Sequence, residues 1–261
     1  ENVELKLRLE QEERINKLTR IYAVLSGINS AIVRIRDRTE LFQEACRIAT
    51  EAGRFGFAWI DLVDPENLEL IPAAYGGAES AEMAVFSSDR VPRSKQGLIS
   101  HAVAQKRAVF SNDLLTEAVP GGVRRAEAMR RGYRSVVVLP LIVDGEVTAT
   151  LTLFAKEQGF FNDEEMRLLN ELSGDISFGL EFINKEEKLD FLAYYSPLTG
   201  LPNSLLFNNR MTQRIAAARD KQQAFGVLMM DIERFRLVND TLGRNVADEV
   251  LQQVAVPRTA V

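Results

Sequence analysis

The longest regular pattern of hydrophobic positions in this chain lies between Phe161 and Asn203. Its apolar residues recur every three or four positions, which places them on one face of a helix. No proline interrupts the pattern before Pro197, where Pro, Gly and Pro end the helix in a turn. The sequence therefore predicts one long helix followed by a defined turn. The apolar positions are Leu169, Leu172, Ile176, Leu180 and Ile183.

The first 35 residues or so show a second helical pattern, with charged residues between the apolar ones. The apolar residues follow a heptad-like spacing, and a face of this kind can pair with a second helix. That partner is either the same helix of another subunit or another element of its own domain, and the sequence leaves both open. The residues of this face are Ile15, Leu18, Tyr22 and Leu25.

The middle of the chain alternates apolar and polar residues in short runs, which is typical of strands. The run beginning at Phe57 predicts a half-buried strand, and Asp144-Gly145 between two apolar runs predicts a hairpin. This layout indicates an α+β fold, with an antiparallel sheet flanked by helices. The predicted elements are a helix over 39–50, strands over 57–63 and 67–74, a helix over 97–105, and strands over 108–111, 136–143 and 147–154.

Composition narrows the class of protein. The length of 261 residues suggests about two domains, and 46% hydrophobic content suits a soluble globular chain. A net charge of −5, with acids and bases mixed, argues against nucleic-acid or membrane partners. Without a signal peptide or a long apolar run, and with the single cysteine Cys46, the chain is expected in the cytoplasm. Because it begins with Glu, we expect a piece of a longer protein.

A succession of short motifs accompanies the predicted elements between residues 20 and 184. The motifs are Leu41-Phe-x-x-Ala45-Cys46, Phe57-Ala-Trp-Ile60, Phe110-Ser-Asn-Asp113, Gly132-Tyr-Arg-Ser135, Leu139-Pro-Leu141, Asp144-Gly145 and Phe161-x-Asp-Glu-Glu-x-x-Leu-Leu169. Their order resembles that of a GAF domain, with residues 1–19 as a signalling helix before it. The resemblance implies a GAF-type antiparallel sheet flanked by helices, a small-molecule ligand of open identity, and a homodimer formed through the terminal helices.

The residues after the long helix carry two further motifs. They are Tyr195-Ser-Pro-Leu-Thr-Gly-Leu-Pro-Asn-Ser-Leu-Leu-Phe207, and Asp231-Ile-Glu-Arg-Phe-Arg-Leu-Val-Asn-Asp-Thr-Leu-Gly243 followed by Ala247-Asp-Glu-Val-Leu251. A helix over 208–221 and a buried strand over 225–231 are predicted between them. This part resembles the start of a GGDEF domain, the diguanylate cyclase module. Residues 185–261 are therefore expected to form a linker helix and an incomplete α/β GGDEF fragment.

The second domain has candidate site residues of its own. Asp231 ends an apolar run, so its carboxylate can meet a hard cation such as Mg²⁺, and backbone amides at the start of the next helix can bind a phosphate. The resemblance implies metal binding by Asp231 and the carbonyl of Ile232, phosphate contacts near Arg234, Phe235 and Arg236, guanine contacts from Asn239 and Asp248, and use of Mg²⁺ and GTP by the full-length parent. Without the resemblance, the sequence favours a helix N-cap role for Asp231, and it favours solvent-exposed polar positions for Asn239 and Asp248.

The chain stops at Val261, before the hairpin that would carry the GGDEF signature and a second metal-binding carboxylate. One acidic ligand cannot hold two metals, so the fragment itself is expected to be inactive. The parent is expected to be a diguanylate cyclase, or a cyclic di-GMP phosphodiesterase with an EAL domain. The alternative is a non-catalytic ligand-binding and dimerisation module with a degenerate GGDEF part. Departures from the family pattern are Ser196 for Asp, Ser204 for Arg, Arg236 for Lys, Arg244 for His and Ala247 for Gly.

For the sensor, a pocket between the sheet and its loops is predicted from five residues: Trp59, Asn112, Asp113, Arg134 and Ser135. The alternative makes Asn112 and Asp113 an Asx-type turn and Trp59 a core residue, and the sequence leaves both open.

Several other features favour structural roles over ligand binding. His101 is predicted to be a surface or packed residue, Cys46 a core thiol, and Asn162 a helix start. The arginines Arg124, Arg125, Arg130, Arg131 and Arg134 are predicted to solvate a loop helix near Gly121-Gly122. Residues beyond about Asn203 are expected to pack loosely, because the apolar strand there lacks sheet neighbours.

Overall fold

The short apolar runs in the middle of the chain pair into one antiparallel sheet with the strand order β2-β1-β5-β4-β3. The computed structural model describes residues 2–77, 97–116 and 123–255. The chain forms two units, Glu1–Ile183 and Asn184–Val261. The strands are β1 (Phe57–Val63), β2 (Leu70–Gly77), β3 (Val109–Ser111), β4 (Ser135–Val143) and β5 (Glu146–Ala155). The helices of the first unit are α1 (Asn2–Arg34), α2 (Arg38–Glu51), α3 (Leu98–Gln105), α4 (Val123–Arg130) and α5 (Asp163–Tyr194), which continues into the second.

Helices cover both faces of the sheet. One face carries small and branched side chains such as Ile60, Leu139 and Leu151, which pack in a single cluster with residues of α1, α2 and α5. The other face packs against α4 in a smaller cluster that contains Trp59, and against α3 in another that contains Val138. The predicted α+β architecture is therefore confirmed, and it places the long helix α5 directly on the sheet.

The predicted hairpin at Asp144-Gly145 is confirmed. Both residues have positive φ angles, +52° and +81°, as a tight two-residue turn between twisted strands requires. The β1–β2 hairpin is also present, with Phe57 opposite Gly77 and Val63 opposite Leu70. The prediction that β1 is half-buried was wrong. All of its residues except Leu62 are buried, because helices lie on both sides of the sheet.

The face of α1 that packs on its own unit matches the predicted one only in part. Leu25 is buried and Leu18 packs against the core, but Ile15 and Tyr22 are exposed, and the buried residues follow three- and four-residue steps on a neighbouring stripe. A long helix with apolar residues on several sides offers more than one such stripe, and contact with α2 and α5 decides which stripe is buried. The buried residues of α1 are Ile21, Val24, Leu25, Ile28 and Ala31.

Helix α5 is held to the sheet by side-chain hydrogen bonds as well as by apolar packing. Its predicted buried face, Leu169 to Ile183, is confirmed. The Ser173 hydroxyl donates to the carbonyl oxygen of Pro140 at 2.5 Å, and the Ser177 hydroxyl accepts from the amide of Ile142 at 2.9 Å. The pairing of β4 with β5 is irregular between Leu141 and Ile142, so the serines satisfy backbone groups beside an irregularity in the ladder.

The second unit begins with the end of α5 and the predicted turn. The Ser196 amide donates to the Leu201 carbonyl at 2.8 Å, and Gly200 adopts φ +69°. The Asn203 side chain accepts from the Leu206 amide and donates to the Ala193 carbonyl, so one residue joins two helices. Because Asn203 caps the next helix, that helix begins at Ser204 rather than at Asn208 as predicted. The helices here are α6 (Ser204–Lys221), α7 (Phe235–Leu242) and α8 (Arg244–Ala255).

The prediction of a buried strand over residues 225–231 was wrong. No regular strand forms in this stretch, and the side chains of Leu228, Met229 and Met230 are 83%, 90% and 83% exposed. An apolar run becomes a buried strand only when neighbouring strands pair with it and other elements cover it. Among the described residues of this unit, no strand pairs with residues 225–231.

None of the helices in the described ranges combines the length and the apolar character that a membrane crossing requires.

Candidate functional site

The sheet face beneath α3 and α4 contains a group of polar residues within an apolar surround. Asp61 lies opposite Thr150 in the β1–β5 ladder, and Trp59 lies opposite Thr152. Residues two apart on a strand share a face, and directly opposed residues are close neighbours. All four side chains therefore meet on one surface. We call Asp61, Thr150 and Thr152 the polar patch.

The polar patch is buried. Asp61 and Thr150 have no exposed surface, and Thr152 is 4% exposed. Asp61 accepts a hydrogen bond of 2.8 Å from Nε1 of Trp59. Within the described parts of the chain, the hydroxyls of Thr150 and Thr152 have no hydrogen-bond partner. Because a buried hydroxyl without a partner is costly, this surface suits a polar ligand or ordered water.

Four of the five predicted pocket residues instead lie together where β3 ends and β4 begins. Both polar atoms of the Asn112 side chain bond the backbone of Phe161, by donation to its carbonyl at 2.6 Å and acceptance from its amide at 2.9 Å. The Ser135 hydroxyl donates to the carbonyls of Asn112 and Glu157, at 3.1 and 2.7 Å. These bonds fix the loop between β5 and α5. We call Asn112, Asp113, Arg134 and Ser135 the clasp.

Asp113 is the charged centre of the clasp. Its carboxylate accepts from the Thr116 hydroxyl at 2.7 Å, from the Leu115 amide at 3.1 Å, and from Nη2 of Arg134 at 2.9 Å. The Thr116 bond, the Leu115 amide and the Arg134 guanidinium together outweigh burial and hold the pKa of Asp113 below its ordinary value. The bond from the amide two residues on is an Asx turn. Trp59 is separate from the clasp and is 1% exposed in the apolar cluster with Phe57 and Leu114.

A third set of contacts ties α1 to the loops at the same end of the sheet. The guanidinium of Arg20 donates to the carbonyls of Gly53 and Arg54, and to a carboxylate oxygen of Glu157, each at 2.8 Å. It also lies 5.0 Å from the centroid of the Phe160 ring. Burial raises the pKa of Glu157, but the bond and charge of Arg20 outweigh burial and lower it overall. Arg20 therefore joins three segments of the first unit.

The other residues singled out in the sequence lie on the surface, in the core or in local hydrogen bonds. His101 is exposed on α3, and Cys46 is fully buried in α2. Asn162 begins α5, because its side chain accepts from the Glu164 amide at 2.9 Å. The arginines make local bonds: Arg125 to the Leu114 carbonyl, Arg130 and Arg131 to Glu127, and Arg134 to Asp113. Gly121, Gly122 and the side chain of Arg124 lie outside what the structure describes.

In the second unit, five of the predicted metal- and nucleotide-binding residues lie at or just before the start of α7. Asp231 is exposed just before the helix, and the Ile232 carbonyl accepts from the Phe235 amide at 3.3 Å. Arg234 precedes the first helical residue with φ +56°, and Arg236 lies 3.8 Å from Asp240 on α7. The amides of residues 234–236 therefore lie at a helix N-terminus, where the helix dipole favours an anion.

Asn239 and Asp248 lie on separate helices of this unit. Asn239 is exposed on α7, and its backbone carbonyl accepts from the Gly243 amide at 3.1 Å. Asp248 is half-buried on α8 and lies 3.9 Å from Arg244. Within the described residues, no three His, Cys, Asp or Glu side chains group closely enough to hold a metal. Asp231 and the Ile232 carbonyl offer two oxygen ligands, so the residues present do not by themselves complete a magnesium site.

Comparison with known families agrees with this division. The model of the GAF domain family matches residues 35–181, more than half of the chain. The model of the diguanylate cyclase GGDEF domain matches residues 193–257. The chain belongs to the GAF domain family, and its GAF domain is followed by part of a GGDEF domain.

Relatives with described roles match short stretches of this chain. The bifunctional diguanylate cyclase/cyclic di-GMP phosphodiesterase MucR of Pseudomonas aeruginosa is 41% identical over 64 residues, covering 24% of this chain and 9% of that protein. Diguanylate cyclase TpbB of the same species is 32% identical over 89 residues, covering 34% and 20%. The chain thus spans at most a fifth of the length of these two relatives.

A solved GAF domain supports the fold of the first unit. The domain from a phosphoenolpyruvate-protein phosphotransferase of Coxiella burnetii superposes with a TM-score of 0.53 at 16% identity. The match covers 65% of this chain and 97% of that domain. At this identity the likeness establishes the fold alone.

The polar patch was missed by sequence reasoning. Its signal was present, since Asp61 is a charged residue within an apolar strand, and Thr150 and Thr152 alternate with Leu and Ala in β5. Polar residues at every second position of a strand mark a polar face. In a sheet covered on both sides, a buried polar face is unusual.

Proposed function

We propose that this chain is the signal-sensing and dimerising region of a cyclic di-GMP turnover protein that works in the cytoplasm. The observation that carries the proposal is the unbroken helix α5, Asp163–Tyr194. It contains the last residues of the GAF match and the first of the GGDEF match. A single helix passes a shift or rotation from one end to the other, and rigid elements of this kind carry switching transitions.

For sensing, we propose that a small molecule binds at the polar patch, with Trp59 as a pocket wall. The buried, unpartnered hydroxyls of Thr150 and Thr152 support this location, since a ligand with polar groups would satisfy them. The clasp serves as a support in this proposal, because Leu114 directly follows Asp113 and packs in the cluster that contains Trp59. Such a ligand changes the signalling state only through different affinity for two conformations.

For dimerisation, we propose that α5 pairs with α5 of a second copy, alongside α1. The exposed large apolar residues of α5 include Phe178, Phe182, Leu189 and Leu192. With Lys185 between them, they follow steps of four and three residues, the spacing of a coiled-coil seam. A polar residue within such a seam favours one register of pairing.

For output, we propose that the whole protein is a diguanylate cyclase or a cyclic di-GMP phosphodiesterase that uses GTP and Mg²⁺ at its GGDEF domain. The residues assigned to that site are Asp231, Ile232, Arg234, Phe235, Arg236, Asn239 and Asp248. The chain by itself should make no cyclic di-GMP, because its sequence contains no Gly-Gly-Asp-Glu-Phe motif. The departures at Ser196 and Ala247 favour a second candidate, a binding and dimerisation module whose GGDEF part is not catalytic.

The test of the dimer is sedimentation equilibrium of the full 261-residue chain with Phe178→Ala. Phe178 is 67% exposed, and complete burial of such a side chain contributes about 1.5–3 kcal/mol, so its loss from both copies removes about 2–4 kcal/mol. We expect the dimer dissociation constant to rise about 30- to 700-fold. Phe110→Ala, which removes an exposed phenylalanine on β3, is the matched control and should leave the dimer unchanged.

A wild-type chain that is monomeric at all concentrations would overturn the proposed dimer, and an equal effect of both substitutions would overturn the proposed seam on α5.

Native mass spectrometry of the same sample tests whether the chain binds a small molecule. A dimer with a defined extra mass supports a ligand, and loss of that mass in Thr150→Val would support its placement at the polar patch.

A further inference from the structure

A separate cleft opens where β1 begins and β2 ends, beside the C-terminal end of α2. It has a volume of about 610 Å³, and its lining includes Arg54, Lys156, Tyr75, Tyr133 and Gly56. None of these residues belongs to the polar patch or the clasp. A side chain at Gly56 would meet the Tyr133 ring, since a Cβ there would lie 2.3 Å from Cε1. The glycine therefore lets the tyrosine ring form one wall of the cleft.

The charges in this cleft are not balanced. Arg54 and Lys156 have no carboxylate partner among the described residues, and both are exposed. Nζ of Lys156 lies 5.8 Å from the centroid of the Tyr133 ring, near the limit for a cation–π contact. The cleft also contains Arg47 and Glu51, but these pair with each other. Among the described residues, these two cations are therefore the ones in the cleft that no carboxylate neutralises.

We propose that this cleft binds the oxyanion group, a carboxylate or a phosphate, of a small molecule. Arg54 and Lys156 are the charge partners, since arginine and lysine form the strongest hydrogen bonds to such groups. The rings of Tyr75 and Tyr133 offer apolar walls to the rest of the ligand. The carbonyls at the end of α2 disfavour an anion, so the charged group belongs on the side of Arg54 and Lys156.

The segments that carry the two cations are held in place before any ligand binds. Arg54 has a left-handed backbone with φ +50°, and its carbonyl accepts a bond from Arg20. Lys156 is followed directly by Glu157, which pairs with the same guanidinium. One side chain of α1 thus fixes both sides of the site. Pre-arranged binding groups lose less entropy when a ligand arrives, which favours affinity.

The test is a titration of the full chain followed by two-dimensional ¹H–¹⁵N NMR. Sodium pyrophosphate and sodium benzoate are the two probes, each added at constant ionic strength. We expect saturable shifts of the amides of Gly56, Gly76 and Gly77, which line the cleft. Saturation by pyrophosphate alone would assign a phosphate ligand, and saturation by benzoate alone a carboxylate.

The variants are Arg54→Gln and Lys156→Gln, with Arg167→Gln as the matched control. Arg167 is an exposed cation on α5. Each cleft variant should weaken binding roughly tenfold or more, as expected for loss of a charge-assisted hydrogen bond. The control should bind as the wild type does. The proposal would be overturned if neither probe saturated the shifts by about 10 mM, since so weak an affinity does not indicate a specific site. It would also be overturned if the control variant weakened binding as much as the cleft variants do.

Lys156→Gln keeps the test informative if Arg54→Gln fails to fold. The dimer and the polar patch are measured by other experiments, so failure here leaves the proposed function standing.

Discussion

The contact between α1 and α5 can be tested with two glycines of the same helix. Gly174 and Gly179 both lie within α5, but they differ in surroundings. A Cβ added at Gly174 would meet nothing within 4 Å, whereas at Gly179 it would lie 3.0 Å from Cγ1 and 3.1 Å from Cγ2 of Ile32 on α1. Gly174→Ala is therefore the matched control for Gly179→Ala.

The expected free energies follow from two contributions. Replacing glycine with alanine inside a helix stabilises it by about 0.5–1 kcal/mol, at both positions. At Gly179 the new methyl group also presses on Ile32, and overpacking of this kind costs about 1–3 kcal/mol. The helix contribution cancels in the comparison. Gly179→Ala should therefore be less stable than Gly174→Ala by about 1–3 kcal/mol.

The assay is urea unfolding followed by fluorescence of Trp59, the single tryptophan, which is buried in the first unit. We expect Gly174→Ala to raise the unfolding midpoint and Gly179→Ala to fall clearly below it. Ile32→Ala removes both Cγ1 and Cγ2, so in that background the difference between Gly174→Ala and Gly179→Ala should narrow. Equal midpoints for the two alanine variants would show that α1 and α5 do not pack as described.

Three further outcomes are expected from the first unit. Ser177→Ala leaves the Ile142 amide without its partner, so the free energy of unfolding in urea should fall by about 1–3 kcal/mol; an unchanged value would contradict this bond. Arg20 lowers the pKa of Glu157 in the folded protein. The pair therefore stabilises the fold fully at a pH above the pKa of glutamate in the unfolded chain, about 4.3, and this stabilisation is lost as the pH falls through the lower pKa of the folded protein. Thermal melts of Glu157→Gln should thus show less acid destabilisation than wild type, and parallel pH profiles would refute this. Burial raises the pKa of the Cys46 thiol strongly, so iodoacetamide should label it only at the rate of unfolding, and fast labelling at neutral pH would count against its placement.

Local patterns predicted those elements that local chemistry determines. The Asp144-Gly145 hairpin needs only a turn with positive φ between alternating runs, and both features are visible in the sequence. The buried face of α5 follows from its three- and four-residue steps. In each case the residues that decide the structure are neighbours along the chain.

Features that depend on distant partners were not predictable in the same way. Asn112 bonds Phe161, 49 residues later, so its part in the clasp could not be seen from its own surroundings. The buried stripe of α1 depends on which side of the helix meets α2, and the spacing of Ile15, Leu18, Tyr22 and Leu25 alone did not show which side that is. The run around Met229 has the composition of a buried strand, but composition does not supply the neighbouring strands that burial requires.

Because α5 is continuous, the number of residues in it determines the rotation, about the helix axis, of the residues that follow. Each residue of a helix turns it by about 100°, so one residue inserted after Ile183 would rotate everything beyond it by that angle. Four inserted residues would leave a rotation of about 40°, and seven a rotation of about −20°, close to the starting orientation. When one helix joins two parts of a protein, the length of that helix therefore sets the angle between them about the helix axis. Helices that differ in length by seven residues give nearly the same angle.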